Sequence, residues 1–427
     1  MLRCSGPSLG PLVAAWLAPL GDRPLAPGGP RRVAVRGPDG EGVDDGVATW
    51  RRGPSTYTGE DTLEVTLHGN PLLVERALAG ALAAGARLAD PGEFTKRALL
   101  AGKVDLLAAE ATDQLVRAST SAGLAIARAG LSGAVAAVVA PLREALLDVA
   151  AELEARLDYP ADELALCDDD ALVTTLAEIA VRCEQVAAEA EVGRRRIDGV
   201  RVALVGAVNA GKSSIFNRLV GETRALVHPS PGTTRDVLEI PCQIGPFPVT
   251  LLDTAGERET PDPIEAAGLA LALVLLADVD LLVVVLRASD AGPDAAETLL
   301  LARTADRRRV VVCNGVDRPG VQVPRGAIPT SALTGLGFDA LAGGIADALS
   351  AGAPEADRVR LGSARQRDLL SAVAGAAREA AVALPLAGPA VAAELVTAAL
   401  GEIDTLVGRD PREEVLTALF RRFCIGK

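Results

Sequence analysis

The spacing of hydrophobic and polar residues divides the chain into segments with different patterns. Residues 32–36 and 63–68 alternate between apolar and polar types, which predicts half-buried strands, and residues 72–84 have helical spacing. A loop rich in Gly, Asp and Pro separates the two strands. From residue 104 to 191, Ala and Leu recur at helical spacing with charged residues on the other face, so this stretch is predicted to be a block of helices.

The pattern changes again at Gly193. An apolar strand at residues 202–205 precedes a glycine-bearing loop and a helix. Further apolar strands follow at residues 250–252, 281–285 and 310–313. Strands that alternate with helices are typical of a parallel, doubly wound sheet. Helical spacing returns after Ala351, so we predict an α/β domain inserted into a helical domain.

Two apolar stretches are long enough to be examined as membrane or signal segments. Residues 268–286 contain Asp278 and Asp280 near their centre. Each would cost about 2.5 to 3.5 kcal/mol in a membrane. We therefore interpret this stretch as a helix end, a polar turn and a buried strand. Residues 9–20 are broken by two prolines and precede no A-x-A site, so neither a signal peptide nor a membrane span is expected.

Composition narrows the class of protein. The 427 residues predict about two to four domains of roughly 150 residues. With 49% hydrophobic residues the chain is neither disordered nor collagen-like, and its six cysteines form no CxxC pair. A reducing cytoplasm is the simplest setting. The net charge of −13 argues against broad binding to a phosphate backbone, so any nucleic-acid contact should be local or shared with a partner.

Lysine is scarce in this chain: of 43 basic residues only Lys96, Lys103, Lys212 and Lys427 are lysines. The lysines that remain are therefore candidates for function; the alternative is that several are leftover surface residues. Lys212 lies in Gly206-Ala-Val-Asn-Ala-Gly-Lys-Ser213, which matches G-x-x-x-x-G-K-[ST] and directly follows a strand. Such a loop curls its N–H groups around a β-phosphate, while the lysine bridges β and γ oxygens and Ser213 ligates Mg²⁺. The contacts predicted here are Asn209, Ala210, Gly211, Lys212, Ser213 and Ser214.

Three downstream motifs indicate a guanine rather than an adenine nucleotide, and a switch protein rather than a motor. Thr234, in Pro231-Gly-Thr-Thr-Arg-Asp236, is placed to complete the Mg²⁺ shell. A carboxylate near the metal and an amide for the γ-phosphate are predicted from Asp253, Thr254, Ala255 and Gly256. Guanine contacts are predicted from Asn314, Asp317, Ser331, Ala332 and Leu333. In order and at these spacings, the motifs predict a Mg²⁺-dependent GTPase.

The hydrolytic step departs from that of Ras-like switches. Glu257 and Arg258 follow the Asp253 motif where such switches place a Gln, so the attacking water needs another organiser. Asn209 can ligate a monovalent cation whose charge would stabilise the transition state. The alternative is that Asn209 is only a turn residue in left-handed geometry.

Several stretches resemble the tRNA modification GTPase family MnmE/TrmE. The matches are Tyr57-Thr-Gly-Glu-Asp61, Leu63-Glu64, His68-Gly69, Pro91-Gly-Glu-Phe-Thr-Lys-Arg97, Gly102-Lys-Val-Asp-Leu106, Ala109-Glu-Ala111, the four nucleotide motifs and Phe423-Cys-Ile-Gly-Lys427. The resemblance implies a multidomain fold of α/β and all-α parts. It consists of an N-terminal tetrahydrofolate-binding and dimerisation domain (residues 1–101), a helical domain (102–193 and 352–427), and an inserted Ras-like P-loop GTPase domain (194–351).

The resemblance also implies how hydrolysis is switched on. K⁺ would be held by Asn209, His228, Ser230 and Thr233, and pairing of two GTPase domains would then be K⁺-dependent. Glu265 would orient the hydrolytic water through a second water. Without the resemblance, Glu265 would be interpreted as a solvated helix residue.

A folate site is implied by the same family pattern at Arg3, Glu64, Lys103 and Lys427. Arg and Lys pair with the ligand's carboxylates, and a carboxylate accepts from pterin N–H groups. The alternatives are that Glu64 is an outward strand charge and Lys103 a solvated cation at a helix end. Cys424 is a candidate nucleophile or thiolate, or else a packed structural thiol.

Three features depart from the family pattern. The family has a further segment, with a first strand, ahead of the match at Arg3. Gly315 stands where the guanine motif has a lysine whose stem covers the base, so we expect weaker GTP affinity with guanine choice still enforced by Asp317. His228-Pro-Ser-Pro231 places two prolines in the predicted K⁺ loop.

The resemblance implies a cytoplasmic homodimer that joins an FAD/NADH-dependent MnmG-type (GidA-type) subunit in a heterotetramer. On tRNA it would add a (carboxymethyl)aminomethyl group to carbon 5 of the wobble uridine, with GTP, Mg²⁺, K⁺ and a tetrahydrofolate derivative in methylene or formyl form. One alternative is a GTP-dependent switch or ribosome-assembly factor without folate chemistry. Another, a helical interaction protein with a degenerate nucleotide site, is disfavoured by the intact phosphate loop.

Overall fold

This computed structural model describes residues 1–158, 167–207, 209–222, 238–253, 279–351 and 360–409. The chain divides into two compact units. The first comprises Met1–Asp113 and the described residues from Val407 onward, and the second comprises Gln114–Leu406.

An antiparallel five-stranded sheet forms the centre of the first unit, in the spatial order β1-β5-β4-β3-β2. The strands are β1 (Leu2–Gly6), β2 (Leu17–Pro19), β3 (Arg31–Arg36), β4 (Gly42–Arg51) and β5 (Asp61–Thr66). The helices are α1 (Gly10–Trp16), α2 (Pro71–Ala83), α3 (Glu93–Leu100) and α4 (Leu106–Arg117), the last of which continues into the second unit. Trp16, Val33, Val35, Leu63 and Val65 are almost fully buried in the core of this sheet.

The predicted strands at 32–36 and 63–68 and the predicted helix at 72–84 are confirmed as β3, β5 and α2. The prediction of a loop between the two strands was wrong, because β4 (Gly42–Arg51) occupies part of it. Two of the inward-facing residues of β4 are Gly46 and Ala48, too small to give an alternating apolar pattern. Gly46 is also required by packing, since a Cβ there would lie 2.6 Å from the carbonyl oxygen of Thr66.

Long helices form one part of the second unit, as the helical pattern predicts. They are α5 (Ser121–Leu131), α6 (Ala134–Asp158), α7 (Asp169–Asp198), α11 (Ala364–Ala387) and α12 (Pro389–Val407). α7 and α11 pack along each other. The proposed domain boundary at 193/194 falls within α7, which continues to Asp198 and leads directly into the next strand.

The other part of the second unit is a six-stranded sheet in the order β11-β10-β9-β6-β8-β7. Its strands are β6 (Val200–Gly206), β7 (Leu238–Ile244), β8 (Phe247–Asp253), β9 (Leu281–Arg287), β10 (Arg309–Asn314) and β11 (Ile328–Thr330). Its helices are α8 (Lys212–Glu222), α9 (Ala295–Arg303) and α10 (Phe338–Ser350). All neighbouring strands are parallel except β7, which is an antiparallel edge, so the predicted parallel sheet is confirmed.

Among the described helices, α11 is long and apolar enough to cross a membrane, and α5 with α6 passes the same test as a bent pair. The core helix of a soluble protein also meets these criteria. α11 buries Leu370, Val373, Ala377 and Leu384, and it packs against α7. Residues 9–20 likewise form α1 and β2, with Leu12, Val13 and Trp16 buried in the first unit.

Candidate functional site

A tight loop joins β6 to α8 at the carboxyl end of the parallel sheet. Gly206 packs so closely on β9 that a Cβ there would lie 2.4 Å from the carbonyl oxygen of Val285. Asn209 has φ 61°, and among the described non-glycine residues it alone has a positive φ. Gly211 has φ 90°. Two left-handed residues so close together turn the backbone sharply before α8 begins at Lys212, as a phosphate-binding loop requires.

Lys212 folds back over this loop. Its Nζ donates to the carbonyl oxygens of Gly206 and Ala207, both at 3.0 Å. Burial lowers the pKa of Lys212, and the charge of Asp253 partly opposes this effect. Burial makes the charged ammonium group costly, and a polyphosphate at the N-terminus of the helix would offset this cost with its negative charge.

Asp253 ends β8, where it lies opposite Leu204 in the register with β6, and it is buried. Ser213 and Ser214 are exposed in the first turn of α8. Among the described residues no group of three His, Cys, Asp or Glu side chains could hold a metal ion. The residues present nevertheless fit Mg²⁺ bound together with nucleotide, because Ser213 and Asp253 supply oxygen atoms and the phosphates would supply the rest.

Asn314, at the end of β10, connects the phosphate loop to the loop after β11. Its Nδ2 donates to the carbonyl oxygen of Ala210 at 3.3 Å, and its Oδ1 accepts from the amide of Ala332 at 3.0 Å. Gly211 leaves room for this side chain, since a Cβ there would lie 2.2 Å from Nδ2 of Asn314. The structure therefore brings Asn314 and Ala332 together, with the Ala332 amide donating to Asn314.

Asp317 is exposed beside the same loop. A hydrogen bond from the buried Ser331 lowers the pKa of Asp317. Its carboxylate is therefore ionised and able to accept hydrogen bonds from the N–H groups of a nucleobase. Gly315 has φ 95° and donates to the carbonyl oxygen of Thr330 at 2.8 Å. The side chain of Leu333 is 81% exposed, which places it at the protein surface.

The motif search did not identify Arg218 of α8. Its Nη1 donates to the carbonyl oxygens of Ala332 and Leu333 at 3.3 and 3.4 Å. No motif contains this position. The only sequence signal is a basic residue six positions after Lys212, on a helix whose other face is apolar.

Ten of the predicted site residues lie outside the described residues. They are His228, Ser230, Thr233, Thr234, Thr254, Ala255, Gly256, Glu265, Cys424 and Lys427. The roles assigned to them stay predictions, as does cation binding by Asn209.

In the first unit, Arg3 of β1 and Glu64 of β5 are direct cross-strand neighbours. Nη2 and Nε of Arg3 lie 2.7 and 2.9 Å from Oε1 of Glu64, and both side chains are partly exposed. The Arg3 guanidinium also lies 5.8 Å from the ring centroid of Phe94. Lys103 is exposed, and a Cβ at Gly59 would lie 3.5 Å from its Cε. Glu64 is therefore not simply a charged side chain on the outer face of a strand, because it has a specific basic partner.

A polar network lies next to this pair. Glu60 accepts from Arg97 at 2.7 Å and from Ser5 at 3.2 Å. Hydrogen bonds from Arg87 lower the pKa of Glu93 to about 2, and Glu93 also binds Arg97 at 2.6 Å. The quoted motifs contain Glu60, Glu93 and Arg97 but give none of them a role.

A cavity of about 650 Å³ in the first unit is lined by Arg3, Cys4, Phe94 and Arg97, among others. Burial raises the pKa of Cys4 to about 11, so its thiol is protonated and unreactive at neutral pH. Arginines and an aromatic ring in its lining give the cavity groups that can bind an anion with a flat ring.

Two protein-family models match the sequence. The model described as "MnmE helical domain" matches residues 106–424, and "GTP-binding protein TrmE N-terminus" matches residues 1–103. The tRNA modification GTPase MnmE of Chloroflexus aurantiacus is 40% identical over 441 residues, covering 100% of this chain and 96% of that protein. Proteins of the same name from Roseiflexus sp. and Myxococcus xanthus are 39% and 42% identical, each over 91% of this chain and 87% of the relative.

Proposed function

The chain belongs to the MnmE family of tRNA modification GTPases, and from this premise we propose that it is a K⁺-dependent GTPase of wobble-uridine modification. It is a GTP hydrolase. Together with an FAD-dependent partner it adds a (carboxymethyl)aminomethyl group at carbon 5 of the uridine. The observation that supports the proposal best is the meeting of the phosphate loop, Asn314 and Asp317 at the carboxyl end of one parallel sheet, which is where such sheets bind nucleotides.

Each part of the site has a role in this proposal. The N–H groups of the loop around Gly211 hold the β-phosphate, and Lys212 exchanges its two carbonyl contacts for β and γ oxygens. Ser213 and Thr234 would hold Mg²⁺, which would supply charge at the transferring phosphoryl group, and Asp253 is the carboxylate proposed for the metal site. Asp317 accepts hydrogen bonds from the guanine N–H groups, and a backbone amide of the segment Ser331-Ala-Leu333 donates to the guanine oxygen.

Potassium binding and water activation complete the catalytic proposal. Asn209, His228, Ser230 and Thr233 are the proposed K⁺ ligands, and Glu265 is the proposed carboxylate that orients the hydrolytic water. Substitution of Glu265 by Ala should slow hydrolysis at least tenfold, about 1.4 kcal/mol. Nucleotide affinity should be unchanged, and unaltered turnover would remove this role from Glu265.

The first unit is proposed to bind a tetrahydrofolate derivative, in methylene or formyl form, through Arg3, Glu64, Lys103 and Lys427. The chemistry supports this, because a partly exposed Arg–Glu pair offers both a donor for a carboxylate and an acceptor for pterin N–H groups. Cys424 is proposed to act as a nucleophile or thiolate. The homodimer, the MnmG-type flavin subunit, the tRNA and the cytoplasmic location belong to the same proposal.

Mass spectrometry of tRNA from a strain lacking the gene tests this function. We expect loss of (carboxymethyl)aminomethyl groups at the wobble uridine, with recovery on complementation by the wild type but not by Lys212→Ala. Unchanged modification together with a ribosome-assembly defect would favour the switch protein without folate chemistry and overturn the proposal.

A further inference from the structure

Arg218 of α8 donates hydrogen bonds to the loop that follows β11. In residues 331–337, here called the base loop, the Ser331 amide donates to the carbonyl oxygen of Leu336 at 3.0 Å and the Gly335 amide donates to that of Ser331 at 2.8 Å. These bonds fold the loop into a compact turn. From the neighbouring helix, Nη1 of Arg218 donates to the carbonyl oxygens of Ala332 and Leu333.

Two further features fit the base loop to the guanidinium group. The Cζ atom of the Arg218 guanidinium lies 5.6 Å from the ring centroid of Phe338, within the distance of a cation–π contact. Gly335 has φ 88°, and a Cβ there would lie 2.1 Å from Nη2 of Arg218. The guanidinium therefore lies near the ring of Phe338, directly after the base loop, and against a residue of the loop that has no side chain.

The helix that carries Arg218 is held rigidly. α8 buries Ile215, Phe216 and Leu219 against the sheet, each at most 2% exposed. The same helix begins at Lys212, in the phosphate-binding loop. Arg218 thus fixes the base loop relative to the phosphate-binding end of α8.

We propose that Arg218 is a positioning residue for guanine recognition: by holding the carbonyl oxygen of Ala332 it aims the N–H of the same peptide, the amide of Leu333, at the guanine O6. The inference rests on the proposed guanine-binding role of this loop. Asn314 fixes the peptide before Ala332 by accepting from the Ala332 amide, and Arg218 fixes the next peptide by donating to the Ala332 carbonyl oxygen. Without Arg218 the Leu333 amide loses its direction while the phosphate contacts remain.

The test compares GDP with 6-thio-GDP, which keeps both protons read by Asp317 and replaces only O6 by a weaker acceptor. The wild type should prefer GDP. Arg218→Ala should bind GDP about tenfold more weakly, the loss of one to two hydrogen bonds, and 6-thio-GDP less than twofold more weakly. The ratio of the two dissociation constants should therefore fall. Equal weakening of both nucleotides would overturn the proposal, because it would indicate general damage to the site.

Three further variants make the result independent of folding. Arg218→Lys keeps one donor and should restore part of the preference. Gly335→Ala should lower it as Arg218→Ala does, since the new Cβ displaces the guanidinium. Arg201→Ala removes an exposed ion pair with Glu239 in the same sheet and should change neither dissociation constant. If even the wild type fails to distinguish the two nucleotides, the guanine-reading role of the loop fails; if the wild type discriminates and Arg218→Ala discriminates equally, only the role of Arg218 fails.

Discussion

Asn314 and Ala210 are 104 residues apart in sequence, yet the Asn314 side-chain amide donates to the Ala210 carbonyl oxygen at 3.3 Å. The same side chain accepts from the amide of Ala332. A single amide group therefore joins the phosphate loop to the loop proposed to read guanine. Since one end of this group must donate and the other must accept, Asp cannot replace Asn without losing one bond.

Asn314→Ala should weaken both the fold and nucleotide binding. Loss of two neutral hydrogen bonds should lower the free energy of unfolding by about 1–3 kcal/mol. Asn314→Asp is the matched variant: it keeps the acceptor for Ala332 but turns a carboxylate oxygen toward the Ala210 carbonyl. We expect weaker GDP binding by the Asp variant than by the Ala variant in fluorescence titrations. Wild-type affinity in the Asp variant would contradict the role of the donated bond.

Gly315 stands where the family motif has a lysine, and its backbone is left-handed, with φ 95°. A side chain has space here, because a Cβ would meet only the Cβ of Ala288, at 3.8 Å. Gly315→Lys should therefore cost about 1–2 kcal/mol of backbone strain and should tighten GTP binding by covering the base. Gly315→Ala carries the same strain without the stem, so it should lose stability and gain no affinity. Equal affinity in the two variants would show that the missing stem does not limit binding.

Local patterns predicted the nucleotide site because its residues lie in short motifs fixed by backbone chemistry. The strand before Gly206 and the strand ending at Asn314 were both identified from apolar runs and are confirmed as β6 and β10. Arg218 and β4 were not predicted, for different reasons. The partners of Arg218 are carbonyl groups more than a hundred residues away, which leave no residue signature. β4 buries small residues whose pattern is weak.

Asn209 allows a test that separates its two possible roles. If its side chain binds K⁺, both Asn209→Ala and Asn209→Gly should abolish the faster GTP turnover in KCl than in NaCl. If the residue only permits a φ of 61°, Gly should preserve turnover, because glycine adopts this conformation without strain, whereas Ala should impair it. We expect both variants to lose K⁺ stimulation. Wild-type rates that are equal in the two salts would remove the K⁺ role altogether.

Arg3 is expected to contribute more to ligand binding than to stability. Its ion pair with Glu64 is partly exposed and joins two neighbouring strands. Arg3→Ala should therefore lower the free energy of unfolding by only about 0.2–1 kcal/mol. Binding of a reduced folate, measured by calorimetry, should weaken about tenfold or more, the loss of one charge-assisted hydrogen bond. Arg32→Ala, which removes a longer and more exposed contact to Asp45 in the same sheet, is the control and should bind folate normally. Unchanged folate affinity in Arg3→Ala would limit the pair to a structural role.

Glu191 of α7 lies at the centre of an ion-pair cluster, 2.8 Å from Arg194, 3.1 Å from Arg195 and 2.6 Å from Arg367 of α11. Burial opposes its ionisation, but hydrogen bonds and charges from these arginines lower its pKa to about 2, from an ordinary value of 4.5. A carboxylate with a lowered pKa in the folded state stabilises the protein above its ordinary pKa, and this contribution is lost as the pH falls from about 4.5 to about 2.

Glu191→Gln should therefore be less stable than the wild type at pH 7, by about 1–2 kcal/mol once solvent screening is included. The difference should shrink as the pH falls through the window between the two pKa values, because the wild type loses its ionised carboxylate there and the variant has none to lose. Urea unfolding at several pH values measures this convergence. Glu184→Gln is the matched control, since Glu184 also pairs α7 with α11, through Arg378, but both side chains are about half exposed. Its stability should stay within about 0.5 kcal/mol of the wild type at every pH, as for other exposed pairs. A constant gap between wild type and Glu191→Gln down to pH 2 would show that the arginines do not hold this carboxylate ionised.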